Sequence, residues 1–283
     1  MNKTDITIVV VDYYSGDELR VLIDSLHKYE PHCAIVISSN SCYSKSEAQE
    51  FIKCFPDAKI LLNEKNGGYS YGVNRALREV DTKYAAVLNP DVEIIAPFSD
   101  KAIKLFEAYD KVGAFTPIVL DGEGNDRTVA RRFWTPKFAF ARLFQRKFKN
   151  SIMDRLHGRY LRSDWKHDKL QGIDFCSGGA IFLRTEAILG VGGFDERFFM
   201  YMEDVDLCHR LWDKGWIVAL NPDVRLIHRA HFDSTRNLLR LCKLLSRTRR
   251  AHLMSYFRYY RKWGAMEYCP SDQWNAANGI TKD

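Results

Sequence analysis

Apolar β-branched runs alternate with helix-period stretches through the first 92 residues of this chain. Ile6 to Val11 is a continuous run of the kind shown by a strand buried on both faces. "SGDELRVLIDSLHKY" follows with leucines and an isoleucine at helical spacing, and Ser15 or Asp17 stands where a cap is expected. Ala34 to Ile37 reads as a second strand, "SKSEAQEFIKCF" as a second helix, "AKILLN" as a third strand and "YGVNRALREV" as a third helix. "YAAVLNPDV" closes the series as a fourth strand with polar residues at its end. The alternation predicts an α/β fold, with a mainly parallel sheet and helices on both faces. At 283 residues the chain is long enough for one large domain, or a domain with an extension.

The second half reads differently. "GAFTPIVLDGEGN" predicts a strand and a turn, residues 131–170 are aromatic, basic and irregular, and "DFCSGGAIFLRTEAILGVGGFD" predicts a strand, a short helix and a glycine-rich loop. "WIVALN" and "VRLIHR" read as two short strands, and from Asn237 onward the pattern is helical and basic. A domain over residues 1–235 and a basic amphipathic extension over 236–283 are expected from that change. The net charge is only +6, yet Ser234 to Met266 holds no Asp or Glu, and Arg127 to Met153 holds none either. Basic patches of this kind suit an anionic partner: phosphate, lipid head group or nucleic acid. The seven cysteines form no CxxC pair, so reduced cytosolic thiols are expected rather than a zinc ribbon or disulfide framework. The N-terminus lacks a signal-peptide layout, and no apolar run approaches the roughly 20 residues of a membrane span, so a cytoplasmic protein is expected.

Ligands of open parallel α/β sheets bind at the carboxyl ends of the strands. Asp12, Ser39 with Asn40, Asn66, and Asn89 with Asp91 fall at four such ends. Any one of them is also what a turn or helix cap uses; four in series point to a ligand. "NGGYSYGVN", residues 66–74, has glycines where backbone approaches something closely, though it is not a GxGxxG motif. Asp91, in "NPDV", directly follows an apolar strand. A carboxylate beside a nucleotide diphosphate is repulsive unless a divalent cation separates them, and Mg²⁺ is typically held by one or two carboxylates plus phosphates. His228 in "RLIHRAH" is a further candidate ligand, with an ordinary surface histidine as the alternative. "FFMYMEDVDLCHRL", residues 198–211, places Glu203, Asp204 and Asp206 in the first turn of a helix. The helix dipole accounts for acids there. It does not account for the apolar run before them, which implies a buried setting where a carboxylate becomes a general base.

Together "NPDV", "SGGAIFLRTEAILGVGGFDERFFMYMEDVDLCHRL" and "VRLIHRAH" resemble the inverting family 2 glycosyltransferases of GT-A fold, in order and rough spacing, over about residues 5–235. "ARRFWTPKF", "DFCSGG", "FMYMEDVDLC" and "HRAHFD" are similar to bacterial dTDP-rhamnosyltransferases, whose O-antigen members act on N-acetylglucosaminyl-diphospho-undecaprenol. The resemblance implies that Asp91 binds a metal, Mg²⁺ or Mn²⁺, with His228 as its late ligand. It implies Asp204 as the base, with Glu203 and Asp206 orienting it or meeting the acceptor. Asp12 and Asn40 match positions that contact nucleobase and ribose, Asn66, Gly67 and Asn74 belong to the donor loop, and Arg131 matches an arginine near the diphosphate. Cys176, Ser177 and Gly178 of "DFCSGG" are implied to meet the acceptor. Two departures stand out: Ser39 replaces the Asp of an Asp-Asn pair, which leaves a UDP-hexose as the alternative donor, and Asn89 stands where many relatives have an acid.

A metal-dependent transferase on this pattern takes a nucleotide-sugar donor and a polyprenyl-diphosphate-linked acceptor, and works at the inner face of the cytoplasmic membrane. Residues 236–263, with Leu238, Leu241, Leu244 and Leu245 at helical spacing and Met254, Phe257, Tyr260 and Trp263 as an aromatic stripe, suit an anionic membrane surface; amphipathicity alone equally allows a basic helix packed on the domain with its charges in water. A nucleotidyltransferase would carry a glycine-rich basic loop after the first strand, which "VDYYSGDEL" lacks. A nucleic-acid partner explains the basic segments but not the acids after Met202, so none is expected. A sugar-binding module without catalysis remains the other reading.

Overall fold

The computed structural model describes residues 4–128, 130–144, 152–163, 165–176, 179–229 and 247–280. The first half runs β1 (Ile6–Asp12), α1 (Gly16–Tyr29), β2 (Ala34–Ser39), α2 (Lys45–Cys54), β3 (Ala58–Leu62), α3 (Tyr69–Leu77), β4 (Tyr84–Leu88), β5 (Val92–Ile94), α4 (Ser99–Ala108) and β6 (Val112–Leu120). The second half continues with β7 (Ala130–Arg131), α5 (Pro136–Phe144), α6 (Ile152–Leu161), β8 (Gln171–Gly172), β9 (Phe175–Cys176), β10 (Ala180–Arg184), α7 (Thr185–Gly190), α8 (Glu203–Asp213), β11 (Ile217–His228), α9 (Arg247–Trp263) and α10 (Pro270–Ala277). The four expected strands and three expected helices at the front of the chain are all present. Residues 131–170, expected to be irregular, contain β7, α5 and α6.

One sheet organises these elements, in the order β3-β2-β1-β4-β10-β6-β11-β5, with β8 beside β11. β3, β2, β1 and β4 are parallel to one another, as are β6 and β11. β10 lies antiparallel between β4 and β6, joining the two groups. Side chains of β1 alternate between layers: Ile6, Ile8 and Val10 enter one apolar cluster, Val9 and Val11 the other. This two-sided burial is why the strand is apolar throughout. α1 covers its layer with Leu19, Leu22, Ile23 and Leu26, an i, i+3, i+4, i+7 stripe. α2 starts with a capping box, in which the Ser44 hydroxyl accepts from Glu47 N and the Glu47 carboxylate accepts from Ser44 N.

The two strands expected at "WIVALN" and "VRLIHR" are one, β11, with a break in register against β6 between Asn221 and Arg225. Pro222 sits in that break, where a missing backbone N–H is tolerated. The strand thus reaches far enough to put His228 opposite Val92 of β5.

α9 packs onto the same apolar cluster as the sheet: Tyr259 is buried, and Tyr256, Tyr260 and Trp263 pack around it. The expected aromatic stripe therefore divides. Tyr260 and Trp263 face inward, whereas Met254 and Phe257 are exposed together with Leu253. Leu238, Leu241, Leu244 and Leu245, and the proposed boundary at 235, lie outside the described residues.

Asp206 joins α9 to α8. Its carboxylate is fully buried and accepts from Trp263 Nε1 (2.8 Å) and Arg210 Nε (2.8 Å), with Lys262 Nζ at 2.7 Å. The His209 ring stacks on Trp263 at 3.7 Å, and burial holds its pKa below the usual value. Removing the carboxylate from among these donors leaves the Trp263 indole N–H and two half-buried cationic groups without their partner. Asp206→Ala is therefore expected to cost about 3–5 kcal/mol in urea denaturation. A loss below about 1 kcal/mol, typical of a surface site, would show that α9 docks without it.

Candidate active site

A cleft of about 370 Å³ collects Asn89, Arg131, Gly179, Glu203, Asp204 and His228, from five separate segments of the chain. Asn89 follows β4, and its N–H donates to Gly179 O at 3.0 Å, so the parallel strand and the start of β10 are locked together. The Asp91 carboxylate stands 2.9 Å from His228 Nε2. The approach is close because residue 179 is glycine: a Cβ there would lie 2.8 Å from His228 Cε1 and 2.9 Å from Nδ1. Both Asp91 and His228 keep partial exposure, which leaves lone pairs available to a ligand.

Glu203 and Asp204 open α8 from a backbone that is itself unusual. Tyr201 and Met202 have φ of 70° and 67°, two consecutive non-glycine residues in the left-handed region. Such a conformation persists where surrounding contacts hold it. Here Ser70 Oγ donates to Phe198 O (2.8 Å), Tyr69 N to Phe199 O (2.8 Å) and Ser255 Oγ to Met200 O (3.0 Å). The segment before α8 is thus gripped from one side by α3 and from the other by α9. Gly68, with φ of 91°, lies against the Phe199 carbonyl so closely that a side chain has no room.

The two carboxylates differ in setting. Asp204 is half-buried and accepts from Val205 N at 2.8 Å. Glu203 is 7 % exposed, and its Oε2 has no hydrogen-bond partner among the described residues. Burial, reinforced by the neighbouring Asp204 charge, pushes the Glu203 carboxyl well above its usual range. Tyr69 was not singled out from the sequence, yet it lines the same cleft. Its hydroxyl is pushed up by burial and then by the charges of Glu203, Asp204 and Asp91. Asp206 does not join them: it is committed to Arg210, Lys262 and Trp263 and is not part of the cleft wall.

The donor-side candidates fall into separate groups. Asp12 is buried at the end of β1, accepting from Ser15 N and Oγ on one oxygen and from Ser39 Oγ (2.6 Å), Ser41 Oγ (2.8 Å) and Tyr43 OH (3.3 Å) on the other. Ser39, the departure noted above, therefore donates to Asp12. Asn40 Nδ2 donates to Gly68 O at 2.9 Å, and Asn66 Oδ1 accepts from Gly68 N at 3.0 Å, so both shape the loop that holds Gly67. Asn74 faces elsewhere, bonding Phe194 N, Phe194 O and Glu196 in the glycine-rich loop after α7. Arg131, on β7, lines the cleft with its guanidinium over the Tyr160 ring. Cys176 is buried on β9 with its sulfur 3.7 Å from that of Cys208, so its strand carries Arg131 through the β7–β9 pairing. Ser177 and Gly178 lie outside the described residues. Beside Asp12, Tyr13 and Tyr14 expose more than half of their surface, a feature without a signal in the spacing.

Residues 7–184 match the model of Glycosyl transferase family 2. The N-acetylglucosaminyl-diphospho-decaprenol L-rhamnosyltransferase of Mycobacterium tuberculosis is 26% identical over 244 residues, 79% of this chain and 76% of that protein. Rhamnosyltransferase WbbL of Escherichia coli K12 is 27% identical over 265 residues, 89% of this chain and 91% of that one. Among solved structures, the mannosyltransferase PcManGT from Pyrobaculum calidifontis, in complex with GDP-Man and Mn²⁺, gives a TM-score of 0.57 at 14% identity over 92% of this chain and 65% of that one. GalNAc-T7 with UDP, GalNAc and Mn²⁺ also gives 0.57, at 15% identity, with 80% of this chain spanning 44% of that one. At such identities the likeness concerns the fold, here the GT-A fold.

Proposed function

The chain belongs to glycosyl transferase family 2, and on that premise we propose that it transfers L-rhamnose from dTDP-L-rhamnose, with inversion, to a sugar linked to a polyprenyl diphosphate. The observation that carries this reading is the meeting in one cleft of Asp204 and Glu203 with His228, whose ring contacts Asp91, from segments far apart in the chain. Rhamnose is supported by the names of both rhamnosyltransferase relatives, and the lipid-diphosphate acceptor by the name of the mycobacterial one. The exposed rings of Tyr13 and Tyr14 at the end of β1 offer a nucleobase a face to stack on.

Asp204 takes the proton of the attacking acceptor hydroxyl, and the sugar's anomeric carbon is approached from the face opposite the diphosphate. A base at a helix start, held by α3 and α9, meets the positional demand of such an attack. Asp91 and His228 supply one carboxylate and one imidazole, and no group of three or more His, Cys, Asp or Glu side chains gathers among the described residues. That donor set fits a Mg²⁺ or Mn²⁺ ion that leaves most of its shell to phosphate oxygens and water. When bound, it neutralises charge on the departing diphosphate.

Peripheral attachment to the inner face of the cytoplasmic membrane belongs to the same reading. Leu253, Met254 and Phe257 are exposed on α9 beside Arg250, Arg258 and Arg261. Apolar and cationic side chains on one helix suit an anionic bilayer, where each cation contributes about 1 kcal/mol. No helix among the described residues is long and apolar enough to cross a membrane.

In a transfer assay with competing nucleotide sugars, dTDP-L-rhamnose is expected to be preferred, and Asp204→Asn to lose at least about 100-fold in rate while still binding nucleotide; preference for a UDP-hexose would overturn the donor, and near-normal turnover would move the base. Gly179→Ala pushes the His228 ring off Asp91 and weakens calorimetric binding of dTDP in Mn²⁺ but not in its absence; equal loss in both would remove the metal from this pair. Sedimentation with anionic vesicles falls in high salt and in the Arg250→Glu, Leu253→Glu, Phe257→Glu triple variant, and undiminished sedimentation would return α9 to water.

A further inference from the structure

The cleft has a second end that the transfer chemistry above does not use. From Tyr201, two residues before Glu203, an unbroken series of rings leads away: Tyr201 to His252 at 4.2 Å, His252 to Tyr256 at 4.8 Å, Tyr256 to Trp134 at 5.6 Å and Trp134 to Tyr160 at 4.6 Å. All five line the cleft. Two of them, His252 and Tyr256, come from α9, beyond the 7–184 span matched to the family. Where this wall begins stands Glu203, more than nine-tenths buried, with one carboxyl oxygen unpartnered among the described residues. A buried polar atom without a partner is costly, and a cleft wall is where a ligand can satisfy it.

We propose that α9 completes the acceptor-sugar subsite: His252 and Tyr256 give the pyranose a ring face to lie against, and Glu203 Oε2 bonds one of its hydroxyl groups. Ligand sites commonly combine an aromatic lining with a few placed polar groups, and the ligand expected here is amphipathic in the same way. A pyranose has apolar C–H faces and a rim of hydroxyls, so it satisfies the rings and the carboxyl together. A nucleobase would satisfy the rings too, but it belongs at the exposed Tyr13 and Tyr14 just after β1. In its protonated form, favoured by burial, Glu203 donates to a hydroxyl oxygen. This subsite rests on the glycosyl-transfer reading, because a base at Asp204 requires an acceptor hydroxyl beside it. It also makes α9 part of the site itself and not only of its support.

The test is equilibrium titration of a short-chain lipid N-acetylglucosaminyl diphosphate, read by tryptophan fluorescence without turnover, alongside titration of dTDP in Mn²⁺. His252→Ala, Tyr256→Ala and Glu203→Ala are each expected to weaken the acceptor analogue about tenfold, the loss of one good contact, with dTDP affinity unchanged. Tyr256→Phe and Glu203→Gln should retain most of it, since the ring face and a hydrogen-bonding group are kept; parallel loss of dTDP affinity in the alanine variants would mark a structural defect and overturn the subsite. Should Tyr256→Ala fail to fold, His252→Ala and Glu203→Ala still decide. Unchanged analogue affinity in these variants, in a protein whose wild type transfers sugar, overturns the subsite and leaves the transferase reading standing. A wild type that binds the analogue but transfers from no nucleotide sugar overturns that reading instead, and the variants still judge the wall.

Discussion

The buried carboxylate of Asp206 is the point on which the working parts depend. A charge with no solvent access is tolerated only when fully answered, and here a guanidinium, an ammonium and an indole N–H answer it from two helices. The interaction fixes α8 against α9, and α9 in turn fixes Met200 through Ser255. Between those two ties lies the left-handed pair Tyr201–Met202, which on its own would relax. The direction in which Glu203 and Asp204 leave the backbone is therefore set by contacts made more than fifty residues later in the chain.

Much of this was legible in the sequence, and the reasons differ by element. The first four strands and three helices declared themselves because their periodicity is local and both layers of the sheet demand apolar residues. Asp91, His228 and Asp204 stand out as candidates because strand ends and a helix start are recognisable positions. β10 is expected as a strand, but its antiparallel place between β4 and β6 is a long-range matter with no trace in its own residues. β11 was split in two because Pro222 reads as a terminator, whereas the sheet absorbs it as a break in register.

Glu203, Asp204 and Asp206 share the first turn of α8, and helix geometry separates them. Residues two apart on an α-helix point about 200° from each other around its axis, so Asp206 faces away from Asp204. That division was available from the spacing alone. Asn74 has no such clue, because its partner is the glycine-rich loop after α7 rather than anything near it in the chain. Tyr69 and the rings of α9 join the site by tertiary contact and have no pattern of their own.

The position of β11 has a consequence for how the molecule comes into being. β6 is complete by residue 120, but the strand that covers its open side begins at Ile217, and that strand also receives β5 and β8. During synthesis β6 therefore waits for almost a hundred further residues with one edge unsealed, and exposed edges of apolar strands recruit other chains. His228 is the last residue of the sealing strand. The side chain facing Asp91 thus arrives with the final closure of the sheet, so a nascent chain has no complete cleft until that edge of β6 has been covered.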